Sequence, residues 1–157
     1  MFQIKKFKNI LLIYLLFLYF TAIYYLFLKH TGGLDSTISE WLVNYYGGFT
    51  RRGLSGHIFA QISILFDLPI RFVIFIFQSF FYLIFLILIY FFFKKIKNNF
   101  LLSLCLFCPL LLTYHVAELE ILTRKEVLIF INFLVFLLLS LNTNLTKYTN
   151  IYLFISI

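Results

Sequence analysis

The chain has 157 residues, 63% of them apolar and 22% aromatic, with only 12% charged and a formal net charge of +7. A soluble domain carries about 25% charged residues, and its core has no place for apolar blocks of bilayer-crossing length, roughly 20 residues each. The composition therefore argues against an ordinary soluble globule. It also makes nucleic acid an unexpected partner, because Lys and Arg in such a chain mainly set orientation at the lipid surface.

The first apolar block runs from about Ile10 to Leu28 behind Lys5, Lys6 and Lys8. It is long and aromatic and lacks a small-residue cleavage site, so it reads as a retained helix and not as a signal peptide. Further blocks cover about 69–93, 100–117 and 127–141, and a fifth begins at Ile151. The residues of that fifth block reach about a third of the way across the hydrocarbon, so the chain reads as the N-terminal part of a longer protein. The expected fold is all-α: one membrane domain over 1–157, a polytopic transmembrane helix bundle with amphipathic interfacial helices in its first outer loop. Cys105 and Cys108 form a C-x-x-C inside an apolar stretch without a second ligand pair, which reads as helix packing and not as zinc. Asn144 to Thr146 matches a glycosylation acceptor by chance, since it falls on the inner side.

If the helices simply alternate, Lys5, Lys6, Lys8, Lys94, Lys95, Lys97 and Lys147 fall on one side, which the positive-inside rule makes cytoplasmic. Every carboxylate, from Asp35 and Glu40 through Asp67 to Glu118, Glu120 and Glu126, then falls on the opposite side. The outer face also receives Lys29, His30, Arg51, Arg52, Arg71, His115, Arg124 and Lys125, and mixed charge of this kind is what polar ligand binding requires.

The first outer loop is too long for a plain connection. Leu34, Ile38, Trp41, Leu42 and Tyr45 recur at helical spacing, and Thr37 with Glu40 fits a capping box, which predicts an interfacial helix with Trp41 at headgroup level. Gly47 and Gly48 are placed to end it. A second short helix is expected from Gly53, with Leu54, Ile58, Phe59, Ile62, Leu65 and Phe66 apolar, His57 and Gln61 on a polar edge, and a stop at Asp67-Leu68-Pro69. Between the two, "GGFTRRG" sets Arg51 and Arg52 at a helix start, where free N–H groups and the dipole favour an anion and glycines allow close approach. Gly47, Gly48, Arg51, Arg52, Gly53 and His57 thus form a candidate phosphate clamp. The alternative is that both arginines merely snorkel to lipid headgroups.

The second charged stretch holds Glu118, Glu120, Arg124, Lys125 and Glu126. Glu120 and Arg124 stand i,i+4, and Glu118 and Lys125 two turns apart, so pairs on helix faces are expected. The stretch reads either as a solvated hairpin at the membrane edge or as a functional cluster.

"WLVNYYGGFTRRGLSG" followed some seventy residues later by "TRKEVLIF" resembles a motif pair of uncharacterised bacterial inner-membrane proteins from surface-polysaccharide clusters, broadly like polyprenyl-phosphate-dependent glycosyltransferases and O-antigen polymerases. The resemblance covers Trp41 to Gly56 and Thr123 to Glu126. It implies a multi-pass enzyme that takes a sugar from a polyprenyl-phosphate-linked saccharide on the outer face, among membrane lipids. Asp35 or Glu40 would be the base or metal ligand, and Arg51 and Arg52 would hold the carrier phosphate. The chain has no Asp-x-Asp pair, so neither a metal nor a cofactor is assigned. A transporter or flippase component for the same lipid is the competing reading, with a non-catalytic membrane subunit as a third. Transporters place ionisable residues near helix centres, and these centres are bare of them, with Gln78 the one polar exception.

The topology is open to direct test. A periplasm-active reporter fused after Glu40 is expected to be active, and one fused after Asn98 silent; a cytoplasmic signal from the Glu40 fusion would overturn the orientation.

Overall fold

The computed structural model describes residues 2–32, 38–48, 53–95 and 112–141, and every regular element among them is helical. In chain order these are α1 (Phe2–Thr31), α2 (Ser39–Leu42), α3 (Gly53–Phe66), α4 (Ile70–Lys95), α5 (Tyr114–Ala117), α6 (Leu119–Leu122) and α7 (Glu126–Ser140).

The frame is the pair α1 and α4. Neither helix contains Pro or Gly, and each carries basic residues in its last turn, Lys29 and His30 or Lys94 and Lys95, where the helix dipole favours cations. The end of α1 is closed by local bonds: the Gly32 N–H donates to the Leu28 carbonyl, and the Thr31 hydroxyl donates to the Phe27 and Leu28 carbonyls. Along α1 the buried residues Leu11, Leu15, Leu18, Ala22 and Leu26 follow the three-and-four spacing of one helix face. That face packs antiparallel on α4. Phe27 meets Phe75 at one end with ring centroids 6.2 Å apart, while Leu12, Leu16, Ile87 and Phe91 line an apolar groove of about 300 Å³ at the other. Outward, Phe17, Phe20, Phe80 and Phe91 are exposed. The stretches Asn9–Thr31 and Ile70–Lys95 are the two among the described residues long and apolar enough to cross a membrane.

The shorter helices divide the length of α4 between them. α3 doubles back from Pro69 and lies antiparallel to the first half of α4, with Phe59 and Phe77 rings 4.8 Å apart. α7 runs parallel to the second half: Phe130 meets Phe85 at 6.2 Å, and the Lys95 ammonium donates to the Leu138 carbonyl at 3.4 Å. At 14 and 15 residues they measure about 21 and 22 Å, against about 30 Å of hydrocarbon. Both start beside the middle of α4 and diverge, so their N-termini face each other.

The first loop differs from the expectation of helices lying flat in the interface. Its first helix shrinks to the single turn of α2, because Val43 is extended (φ −57°, ψ 118°) and the chain leaves the helix there. Gly47 and Gly48 follow in a separate turn, closed by the Gly48 N–H on the Tyr45 carbonyl, with Gly48 at φ +117°, a conformation glycine takes without strain. Trp41 is 0% exposed, not at headgroup level; it packs in one cluster with Ile38, Phe59, Val73 and Ile74, with its ring stacked on Phe81. α3 keeps its expected limits and ends at Asp67, where φ turns positive (50°). It packs on α4 through Phe59 instead of lying beside the bundle.

Four complete spans were expected. Among the described residues two helices have that length, and α7 covers the fourth block at about three-quarters of it. Most of the third block, with Cys105 and Cys108, lies outside the described residues, as do Asn144 and the block beginning at Ile151.

Gly56 carries the crossing of α2 and α3. A Cβ there would stand 2.7 Å from the Val43 carbonyl carbon and 2.8 Å from the Trp41 oxygen, and closer still to the Val43 oxygen, all of it backbone that cannot swing away. Gly47 has open space. Gly56→Ala is therefore expected to destabilise the folded protein by about 2 kcal/mol or more, read as a lower melting temperature in detergent, while Gly47→Ala leaves it near wild type. Equal melting of the two variants would refute this packing.

A polar seam at the middle of the bundle as candidate functional site

The carbonyl of Thr123 is the centre of the site. α6 ends at Leu122 and the chain turns through Thr123 to Lys125, which leaves this carbonyl outside any helical ladder. It accepts two side-chain bonds, from Trp41 Nε1 at 2.6 Å and from Gln78 Nε2 at 2.9 Å. Trp41, Gln78 and Thr123 are all buried, so each polar group needs a partner inside the protein and finds one in the same place. The Thr123 hydroxyl donates to the Glu120 carbonyl at 3.2 Å, which holds the turn.

The network continues outward. With its NH₂ committed to Thr123, the amide of Gln78 presents Oε1 to His30 Nε2 at 2.7 Å. A carbonyl oxygen only accepts, so His30 carries a proton on Nε2. Its Nδ1 is buried without a partner, and the ring borders a small pocket with Arg71, Phe72 and Phe75.

On the other side stands Lys125. Its ammonium donates to Ser55 Oγ at 2.9 Å and lies 5.6 Å from the centre of the Trp41 ring, a cation–π distance. Ser55 sits in the first turn of α3, and Lys125 is the residue before α7. One side chain thus joins the starts of the two half-length helices. Trp41 and Ser55 are thereby brought together with Thr123 and Lys125, far apart in the sequence.

The remaining predicted residues fall as follows. Asp35, Arg51 and Arg52 lie outside the described residues, the arginines directly before Gly53 in sequence. Glu40 is half-buried on α2, Gly53 is buried at the start of α3, and Gly47 and Gly48 are exposed. The His57 ring is flanked by Tyr45 and Tyr46, with centroids 5.7 and 5.4 Å away, and its Nδ1 is buried without a partner. Gln61 donates to the Tyr46 hydroxyl at 3.3 Å.

In the second cluster Glu118, Glu120 and Glu126 are exposed. The continuous helix that this pairing presumed is not found: the chain leaves the helix at Glu118 and again at Thr123, so Glu120 and Arg124 share no face, and Lys125 reaches Ser55 and the Trp41 ring. Glu126 opens α7 and borders a cleft with Tyr82 and Phe85. Among the described residues no three His, Cys, Asp or Glu side chains gather as a metal site would need.

Sequence reasoning missed the roles of Thr123, Ser55 and His30. The available signal was Gln78: a lone amide on a buried helix face demands a partner. Its partner is a backbone carbonyl, which no residue type advertises.

Trp41→Phe and Gln78→Leu each remove one donor from the Thr123 carbonyl and are each expected to cost about 1 kcal/mol. The double variant should cost more than the sum, because it alone leaves the buried carbonyl bare. Melting temperatures in detergent measure this, and strict additivity would show that the two bonds are independent.

Comparison with models of known protein families, with curated proteins and with solved structures finds no match to this chain, so its functional reading rests on the seam itself.

Proposed function

We propose that the chain is a multi-pass protein of the bacterial inner membrane, with its N-terminus in the cytoplasm, that binds the phosphate of a polyprenyl-linked saccharide and acts as a glycosyltransferase or polymerase in surface-polysaccharide assembly. One observation supports a single site over scattered lipid anchors. The glycine-rich loop and the dense charged stretch meet, through Trp41 on Thr123 at 2.6 Å and Lys125 on Ser55 at 2.9 Å.

In this reading Arg51 and Arg52, next to the start of α3, clamp the carrier phosphate with paired hydrogen bonds. A carboxylate, Asp35 or Glu40, takes the proton from an acceptor hydroxyl as its oxygen bonds to the anomeric carbon. The bond from that carbon to the carrier phosphate breaks, and the arginines stabilise the charge left on the leaving phosphate. Glu118, Glu120 and Glu126 bring further polar groups for the saccharide.

A second reading has its own support: Gln78 and Lys125 stand beside the middle of α4 and not at its end, where a transporter of the same lipid would keep polar groups. Full-length protein in liposomes loaded with a fluorescent polyprenyl-pyrophosphate-linked saccharide separates the two. A lengthened or transferred glycan supports the enzyme, and movement of the lipid between leaflets without product supports the transporter.

Replacing both Arg51 and Arg52 by Lys keeps the charge and removes the fork geometry, so glycan assembly by the full-length protein is expected to stop. Normal glycan from a stably inserted double variant would rule the clamp out.

A further inference from the structure

The groove between α1 and α4 stands apart from the seam. It is lined by Leu12, Leu16 and Tyr19 of α1 and by Leu83, Ile87 and Tyr90 of α4, and it holds about 300 Å³. Leu12, Leu16 and Ile87 are each 45% exposed, so the groove opens outward. On the reading that α1 and α4 cross the bilayer, it opens onto hydrocarbon. Walls of this kind offer water no set of polar partners, so a carbon chain and not water fills the space. A cavity of about 150 Å³ takes one benzene, which scales this groove to roughly a dozen carbon atoms.

The helix register carries the groove onto charge. At about 100° per residue, Leu83, Ile87 and Tyr90 define a stripe of α4 on which Lys94 falls centrally, and Lys94 is exposed. Lys95 lies off that stripe and donates to the Leu138 carbonyl of α7. On α1, Lys8 and Lys5 precede Leu12 at helical spacing and share the register of Leu12, Leu16 and Tyr19, while Lys6 does not. The two helices are antiparallel, so both stripes reach lysine at the same end of the pair. From Leu83 to Lys94 the stripe measures about 16 Å, one leaflet of a hydrocarbon layer about 30 Å thick. None of the chain's carboxylates, Asp35, Glu40, Asp67, Glu118, Glu120 and Glu126, lies in α1 or α4. The counter-charge for these lysines therefore comes from outside the helix pair.

We infer that this groove holds one anionic two-chain phospholipid of the leaflet at the basic end of α1 and α4, with a hydrocarbon chain between the helices and its phosphate at Lys94 and the lysines of the α1 stripe. Both parts of the site match one amphiphile: an apolar length for the chain, then cations at the depth of the headgroup. A second copy inserted the same way would instead bring its own lysines against these, with no acid in either helix pair to offset them. The inference rests on the proposed membrane reading, does not depend on glycosyl transfer, and uses no residue of the proposed clamp.

An alkaline wash of membranes tests the membrane reading by itself. Protein stripped by the wash would refute that reading, whereas protein that resists it and shows no lipid preference would refute this site alone. Full-length protein in detergent is then offered equal amounts of phosphatidylglycerol and phosphatidylcholine with the same chains. Native mass spectrometry is expected to show one retained phosphatidylglycerol and little phosphatidylcholine; equal retention would overturn the charged part of the site. Dihexanoyl phosphatidylglycerol, with the same headgroup on short chains, should bind roughly tenfold or more weakly than the long-chain lipid, and equal binding would overturn the groove. These measurements need no variant. Lys94→Gln should weaken phosphatidylglycerol roughly tenfold, the value of one charged hydrogen bond, and Lys95→Gln about twofold at most. Equal losses would reduce the site to general surface charge and overturn it. Ile87→Trp fills the groove and keeps the lysines, so it should also weaken retention roughly tenfold; unchanged retention in the folded variant would refute the seat. A dimer that phosphatidylglycerol leaves unaffected and Ile87→Trp dissociates would make the groove a helix interface and overturn the inference.

Discussion

The carbonyl oxygen of Thr123 is the point on which the rest of the architecture depends. Four segments meet through it: the turn after α6 supplies the oxygen, α2 brings Trp41, α4 brings Gln78, and Gln78 in turn positions His30 on α1. In an apolar interior such bonds act less by their net strength than by the cost of breaking them, since each broken bond strands a buried polar group. The hydrophobic contacts among Leu, Ile and Phe tolerate many arrangements. The polar contacts tolerate one, and they fix the register of α1, α2 and the α6 turn against α4.

From that register the two half-length helices follow. α2 can reach Thr123 only if its backbone crosses α3 closely, and Gly56 is where the crossing occurs. Lys125, two residues past the shared carbonyl, then falls next to Ser55 at the start of α3. The charged residue that begins one half-helix is thereby tied to the first turn of the other. A bundle of uninterrupted helices would have no comparable place to gather backbone N–H groups and a cation.

How much of this was legible in the sequence varies with the range of the interaction responsible. The limits of α3, from Gly53 to the Asp67-Leu68-Pro69 stop, are written locally in glycine, apolar spacing and proline, and the structure has the same limits. The apolar stripe through Ile38 and Trp41 is equally visible, but spacing alone does not say whether a stripe meets lipid or protein. Trp41 was assigned to the interface because its partner is a backbone carbonyl 82 residues away. The spacing of Glu120 and Arg124 implied a pair on the premise of a continuous helix, and the break at Thr123 removes the premise. Lys125 was recognised as a charge, while its hold on the Trp41 ring depends on tertiary contact. Glu40 was legible as an acid at the start of a helix in the first loop, but nothing local marked Thr123 as the residue that anchors that loop.

The same separation of 82 residues between Trp41 and Thr123 sets an order of events in time. Ribosomes add roughly 5 to 20 residues per second, so the indole of Trp41 is made several seconds before the carbonyl it bonds. During that interval α3 and α4 are made, and they can supply Trp41 with its apolar contacts to Phe59, Val73 and Ile74 but not with the acceptor of its indole N–H. The nascent chain must keep this loop in a provisional position, with its indole N–H satisfied by water or lipid headgroups, until the turn at Thr123 arrives. Closure of the seam is then a late step of maturation, and mutations at Thr123 or Gln78 would prolong the waiting state.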